Sequence, residues 1–510
     1  MPVMVTTIRS QTAIAGQFRT RLCRLACVLF CAVGSARAAD HYLTIGGGQS
    51  PRNNQVSLEK NVLFFRDALT TLGLNNAPQE VLFADGNDNK RDIQFTPDDS
   101  DLPKVRALLQ DIFPGEEALT EQYRPHEIPQ VWGSAQHATL ERWFDTIGRS
   151  LPDGDRLIIY YTGHGGPGNP PHNTDLALWN EPSLSVKALV ALLDRLPPKV
   201  SVCLIMVQCF SGGFADVIFD KADPIRGLSP RNRCGFFATT FDRTAAGCTP
   251  DITLEDYREY STYFWAALCG HTRTGKPVQK PDFIGDGAIG LSEAHAYTMI
   301  HSDTVDIPVK TSDRFLRQFS RMSGSGVTTP DIGYDQLHAL AGPSDRAVLD
   351  GLSDALKLAG PDRVAAARRL ADDLAHKSDD LQRRKEKNDR TIEFSRQTVR
   401  DVLLDRWPEL ANPLSAAAQR TIGAQAERIV AMLNSSLSFE RLEKRLDQSG
   451  KLEEDGSNAE RDWVKCQRFI NDAESVVLAA NLPKVAGKDI CARYAALVAA
   501  EDRPLTHAKP

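Results

Sequence analysis

From Asp40 to about Ile307, short apolar runs alternate with amphipathic stretches, the pattern of strands joined by crossover helices. Strands are expected at Tyr42–Ile45, Val81–Ala84, Arg156–Tyr161, Val200–Val207 and Gly235–Thr240, with helices at Ser57–Leu72, Ala138–Leu151, Leu184–Leu196 and Tyr260–Cys269. Leu157–Tyr161 and Val202–Val207 are apolar at nearly every position, so both faces of these strands should be buried, as in the middle of a parallel sheet. Asp85–Gln136 is polar and poorly periodic and reads as a surface excursion with one short helix near Leu102–Ile112. After residue 310 the pattern changes. A linker is expected over residues 311–333, which contain Ser323-Gly324-Ser325-Gly326. From 334 to 510 strand signals vanish, and apolar residues such as Val364, Ala367, Leu370 and Leu374 recur at helical spacing. The expected fold class is α/β with a mostly parallel central sheet, residues 39–310, followed by an all-helical C-terminal domain.

The chain has 510 residues, of which 42% are hydrophobic and 25% charged, enough for packed cores in more than one structural unit. The first 38 residues carry five arginines and no acid, so the formal charge of −6 becomes −11 without them. That balance argues against a nucleic-acid partner, which needs a basic face. Arg19, Arg21 and Arg24 precede the apolar run Leu25–Gly34, and Ser35-Ala36-Arg37-Ala38 supplies small residues at a cleavage site, so residues 1–38 read as a signal peptide. The product is expected to be secreted or periplasmic, with no membrane attachment after cleavage. Seven of the ten cysteines then remain, and in an oxidising space Cys466–Cys491 and, less strongly, Cys248–Cys269 suggest themselves as disulfides.

Two of the expected strands end in reactive residues. Arg156–Tyr161 runs into Thr162-Gly163-His164-Gly165-Gly166, and Val200–Val207 into Gln208-Cys209-Phe210-Ser211-Gly212-Gly213. The carboxyl ends of parallel strands line the crevice where α/β proteins bind ligands, so the imidazole and the thiol should share one rim. A helix-like Phe214–Phe219 after the cysteine would favour a thiolate, and the Gly165 and Cys209 N–H groups could form an oxyanion hole. His172 lacks the neighbours of a zinc site. Asp282–Glu293 matches a calcium loop in part, but Ile284 occupies a ligand position, so it reads as a turn feeding a helix from Leu291. No metal and no organic cofactor is expected.

These stretches, Leu157-Ile-Ile-Tyr-Tyr-Thr-Gly-His-Gly and Cys203-Leu-Ile-Met-Val-Gln-Cys-Phe-Ser-Gly-Gly, resemble the caspase–legumain superfamily of cysteine peptidases over residues 40 to 305. The resemblance implies a caspase-like three-layer α/β/α sandwich. It makes His164 the general base, Cys209 the nucleophile and Gly165 the oxyanion glycine. The loop after the first strand is similar to that of legumain-like members, where an asparagine supports the histidine; Asn53 is the candidate, with Asn54 its rival. Family members carry Glu, Gln or Asp two residues before the cysteine, lining the pocket for the residue that precedes the cleaved bond. Here Val207 stands at that position and Gln208 adjoins the cysteine, so Val207, Gln208 and Asp242 are the candidate substrate-binding residues. The implied activity is endopeptidase hydrolysis of a protein or peptide substrate through an acyl-enzyme. A transpeptidase using the same dyad, and an inactive scaffold, are the alternatives. The helical domain could cap the cleft, inhibit it or bind a protein partner. Residues 310–333 and 220–233 are expected to be exposed to processing.

Overall fold

The computed structural model describes residues 38–97, 104–115, 119–250, 253–255 and 257–505. The leader read at residues 1–38 lies, except for Ala38, outside them. Six strands form the central sheet: β1 (Asp40–Gly47), β2 (Gln79–Phe83), β3 (Arg156–Gly163), β4 (Ser201–Met206), β5 (Arg233–Phe237) and β6 (Val309–Lys310), in the order β2-β1-β3-β4-β5-β6. All neighbours are parallel except β6, a short antiparallel edge that the sequence pattern does not reveal. Every residue of β3 is buried, as its unbroken apolar run requires.

The chain moves from β1 through α1 (Val56–Thr71) to β2, then back across β1 to β3. Helix α2 (Lys104–Ile112) sits on the excursion between β2 and β3, and α3 (His137–Asp145) leads into β3. Helix α4 (Val186–Leu193) crosses from β3 to β4, and α5 (Tyr260–Cys269) and α6 (Leu291–His301) lie between β5 and β6. Phe65 of α1, Tyr160 of β3 and Trp265 of α5 pack ring against ring, with centroids 4.4 to 5.2 Å apart, so α1 and α5 share one face. The reversal of direction at β1 sends α3 and α4 to the other face, as right-handed crossovers demand.

The stretch expected to be a linker opens instead with α7 (Thr311–Phe319), whose Phe315 and Leu316 are buried in the core of the sheet. Its apolar pair outweighs the glycine-serine signal, which applies only further on. The helical part follows: α8 (Tyr334–Leu340), α9 (Pro343–Leu356), α10 (Arg363–Arg406), α11 (Ala416–Asn434), α12 (Leu437–Val485) and α13 (Lys488–Asp502). Helices α10 and α12, of 44 and 49 residues, form an arm about 66 to 74 Å long. Its far end packs Leu403, Ile422 and Phe439 on Val105 and Leu109 of α2, so the excursion is clamped by the helical arm.

The C-terminal helices return to the sheet. Leu478, Leu482 and Leu497 join its core, and Glu501 accepts from the Thr311 hydroxyl at 2.6 Å and the Ser312 N–H at 2.7 Å. Arg156 grips Asp40 through two bonds of 2.9 and 2.7 Å and also donates to the carbonyls of Arg503 and Pro504. The seven described cysteines are all free thiols. The expected pairs fail because Cys248 faces the Gly163 carbonyl while Cys269 faces that of His271, and because Cys466 is buried in α12 while Cys491 lies on α13. Among the described residues no helix is long and apolar enough to cross a membrane.

Candidate active site

Strands β3 and β4 are direct neighbours, with Tyr161 beside Met206, so His164 and Cys209 leave the sheet side by side at its carboxyl edge. The edge lies next to β1, where the strand order reverses, the position at which open α/β sheets bind ligands. The two loops are pressed together. A methyl group at Gly165 would sit 2.4 Å from the Cys209 carbonyl oxygen and 2.5 Å from Gln208 Cγ, so only glycine permits this approach. The Tyr161 hydroxyl lies 2.8 Å from the His164 carbonyl and 2.9 Å from that of Ala177, which fixes the histidine backbone from below.

The β1–α1 loop supports the imidazole. His164 Nε2 is 2.8 Å from the Asn53 carbonyl and 3.0 Å from Gln55 Oε1. Two acceptors on one nitrogen put the proton there and leave Nδ1 as the basic atom. Asn53 therefore supports the histidine through its backbone; its side chain instead accepts from the Ser50 hydroxyl. Asn54, the rival, braces the loop by accepting from the Gly48 N–H and donating to Asp92. Gln55 is the supporting side chain that the sequence did not single out. It stands at the N-cap of α1 without a side-chain capping bond and belongs to no motif, so only the fold reveals its contact with His164.

Cys209 sits in the turn between β4 and a 3-10 helix at Ser211–Ile218, and Phe210 after it takes the left-handed φ of 59°. The Ala245 N–H donates to Sγ at 3.3 Å, and no hydrogen bond joins Sγ to His164. Burial pushes the thiol above its ordinary value; the Ala245 contact offsets this in part, and Asp306 adds to the rise. Burial also lowers the His164 imidazole, against the opposing bond to Asn53. Desolvation thus opposes the thiolate that the sequence suggests, and it disfavours the protonated imidazole as well.

In the touching loops two backbone N–H groups stand apart from the strand ladders. Ala177 N–H bonds the His164 carbonyl, which makes Gly165–Leu176 a non-hydrogen-bonded pair and leaves the Gly165 N–H outside that ladder. The Cys209 N–H has no backbone acceptor among the described residues. Gln208 is 1% exposed, yet both ends of its amide lack a partner among the described residues. A buried amide with no partner calls for a water or a ligand group. Val207 is buried in the hydrophobic core, its N–H extending the ladder to Tyr161. Asp242 is exposed, accepts from the Thr240 hydroxyl and borders a different cavity.

The loop over the sulfur is tied to the helical arm. Arg243 pairs with Glu460 at 3.0 Å and lies 5.0 Å over the Trp463 ring, and the Ala246 N–H donates to Asp306 at 2.7 Å. Fully buried Arg468 of α12 holds the carbonyls of Met299, Ser302, Thr304 and Asp306, so the turn carrying Asp306 is set by the same helix. The Arg243 and Arg468 contacts span more than 150 residues and leave no local signal. Cys248, in the same loop, points its thiol at the Gly163 carbonyl, and burial pushes that thiol up to about 12.

Among the described residues no group of three or more His, Cys, Asp or Glu is arranged to hold a metal ion. In the partial calcium loop, Asp282 accepts from the N–H groups of Gly285, Asp286 and Gly287, and Glu293 from those of Ile284 and Gly290. Both carboxylates are thus spent on the turn before α6.

No protein-family model matches the chain, and no curated protein matches it. Among solved structures it is similar to protein GSU0716 from Geobacter sulfurreducens, at 12% identity and a TM-score of 0.24, over 41% of this chain and 75% of that one. A likeness of that degree carries no argument about fold or function.

Proposed function

We propose that the chain is an exported cysteine endopeptidase of the caspase–legumain kind, with Cys209 as nucleophile and His164 as general base. The observation that carries this reading is the forced contact of His164-Gly165 with Gln208-Cys209 at the ends of adjacent parallel strands. In the proposed reaction the Cys209 sulfur attacks the substrate carbonyl while its proton passes to His164 Nδ1. The carbonyl oxygen, now negative, receives the Gly165 and Cys209 N–H groups. Collapse breaks the C–N bond, and the proton on His164 leaves with the amine. Water then attacks the thioester with His164 again as base, releasing the acid and restoring the thiol. Asn53 and Gln55 act as positioning residues that hold the neutral tautomer.

A second reading, a binding protein with a silent dyad, draws on the raised thiol and on its bond to Ala245 rather than to His164. One experiment separates the two. The protein and its Cys209→Ala variant are incubated with a diverse peptide mixture, and the products are sequenced by mass spectrometry. New termini that vanish in the variant support the peptidase, whereas identical product lists support the binding protein. An added amine that appears on the new carboxyl termini would reveal transfer in place of hydrolysis.

A further inference from the structure

Between the sheet and the helical arm lies a cavity of about 330 Å3 that neither Cys209 nor His164 lines. That volume is enough for a small organic molecule. Phe241, Met299 and Val348 give it apolar walls drawn from both parts of the chain.

Most of its charges are already committed. Arg314 bonds Asp216 at 2.6 Å, Arg317 reaches Glu474 at 3.4 Å, and Lys310 reaches Asp345 at 3.4 Å. Asp313 accepts from the Lys310 backbone N–H and the Ser475 hydroxyl. Asp242 is exposed and accepts from the Thr240 hydroxyl, and among the lining carboxylates Asp472 alone has a buried oxygen without a partner. It is 8% exposed, it lines the cavity, and its Oδ2 is buried with no hydrogen-bond partner among the described residues. A carboxylate in that position is costly unless a cation meets it.

We propose that this cavity binds an organic cation, an ammonium or guanidinium group on an apolar stem, with Asp472 as its counter-ion. The apolar walls cover the stem, and Lys310, paired with Asp345 at 3.4 Å, leaves Asp472 Oδ2 without a hydrogen bond. A bare metal ion fits poorly, since among the described residues no group of three or more His, Cys, Asp or Glu is arranged to hold one. Burial, reinforced by Asp345 and Asp313, raises the Asp472 carboxyl well above the usual carboxylate range, against the opposing pull of Lys310. The same chemistry is offered by a free amine or by a lysine or arginine side chain of a peptide.

The test is calorimetric titration and thermal unfolding of the protein with agmatine, with a capped tripeptide carrying a central lysine, and with 1-pentanol as the uncharged control. The expected result is saturable binding of agmatine, one per chain, with a rise in Tm, and none for 1-pentanol. Asp472→Asn should weaken binding by at least about tenfold, the scale of a lost charge-assisted bond. Because this change removes a buried unpaired carboxylate, the variant should fold at least as stably. Asp345→Asn, which frees Lys310 to oppose the cation, should weaken binding independently. Equal binding of the tripeptide assigns the cavity to a peptide side chain, and binding of agmatine alone assigns it to a free amine. Cys209→Ala protein should bind as the parent does, so a failed peptidase reading leaves this one standing. No saturable binding of either probe, or binding untouched by both Asp substitutions, overturns it.

Discussion

Replacing Gly165 with alanine perturbs the site where its two loops meet. The added carbon falls 2.4 Å from the Cys209 carbonyl oxygen, 2.5 Å from Gln208 Cγ and 2.9 Å from the Asp175 carbonyl oxygen. Comfortable contacts lie near ~3.5 Å, so the Cys209 peptide must retreat by about 1 Å. Two of the three obstacles are backbone and cannot swing aside. Overpacking of this kind costs about 1–3 kcal/mol, a fall in Tm of roughly 2–10 °C. A displacement of about 1 Å between reacting groups lowers the rate by about 100-fold. Gly166→Ala is the control, since its methyl would meet chiefly the Asp175 carboxylate, which can rotate away. The assays are thermal unfolding, peptide cleavage, and iodoacetamide labelling of Cys209 followed by peptide mapping. If Gly165→Ala keeps the parental Tm, labelling rate and cleavage rate, the close packing of the two loops is refuted.

The remaining predictions concern protons. Gln55→Ala removes one of two acceptors that favour the charged ring, so the His164 pKa should fall further. NMR titration of the imidazole measures it, and an unmoved or raised value contradicts the assignment of Gln55. Because burial raises the Cys209 thiol, its alkylation rate should climb with pH along a curve displaced to higher pH than that of glutathione. A rate constant that stays flat down to about pH 6 would instead reveal a thiolate–imidazolium pair. Glu501 is pushed up to about 7 by burial, so its contribution to stability is complete below about pH 4 and is lost as pH rises through 7. Glu501→Gln, which mimics the neutral acid, should therefore raise stability at pH 8 by up to about 3 kcal/mol and change little at pH 4. Equal effects at both pH values would show that Glu501 titrates normally.

Sequence reasoning succeeded where the signal is local. The unbroken apolar runs of β3 and β4 are readable because a strand buried on both faces needs them, and the spacing between them leaves room for a single crossover, so Cys209 and His164 could be brought to one edge on paper. It failed where a partner lies far along the chain. β6 has two residues and is defined only by its bonds to Phe236 and Phe237. The burial of Phe315 and Leu316 depends on a sheet that the α7 segment itself does not encode. Gln55 and Arg468 matter because of carbonyls and rings brought to them by folding. The thiolate expectation has a related gap: the dipole of a short helix is visible in sequence, but the burial that opposes it is not.

The central proposal is that the Cys209 sulfur becomes acylated with His164 accepting its proton. Turnover of the peptide mixture is quenched in acid, and the protein is digested and mapped for thioesters. The predicted result is an acyl group on Cys209 that hydroxylamine removes and that His164→Ala nearly abolishes. Peptide cleavage that continues in Cys209→Ala, with no acyl group on Cys209 in the parent, would contradict it.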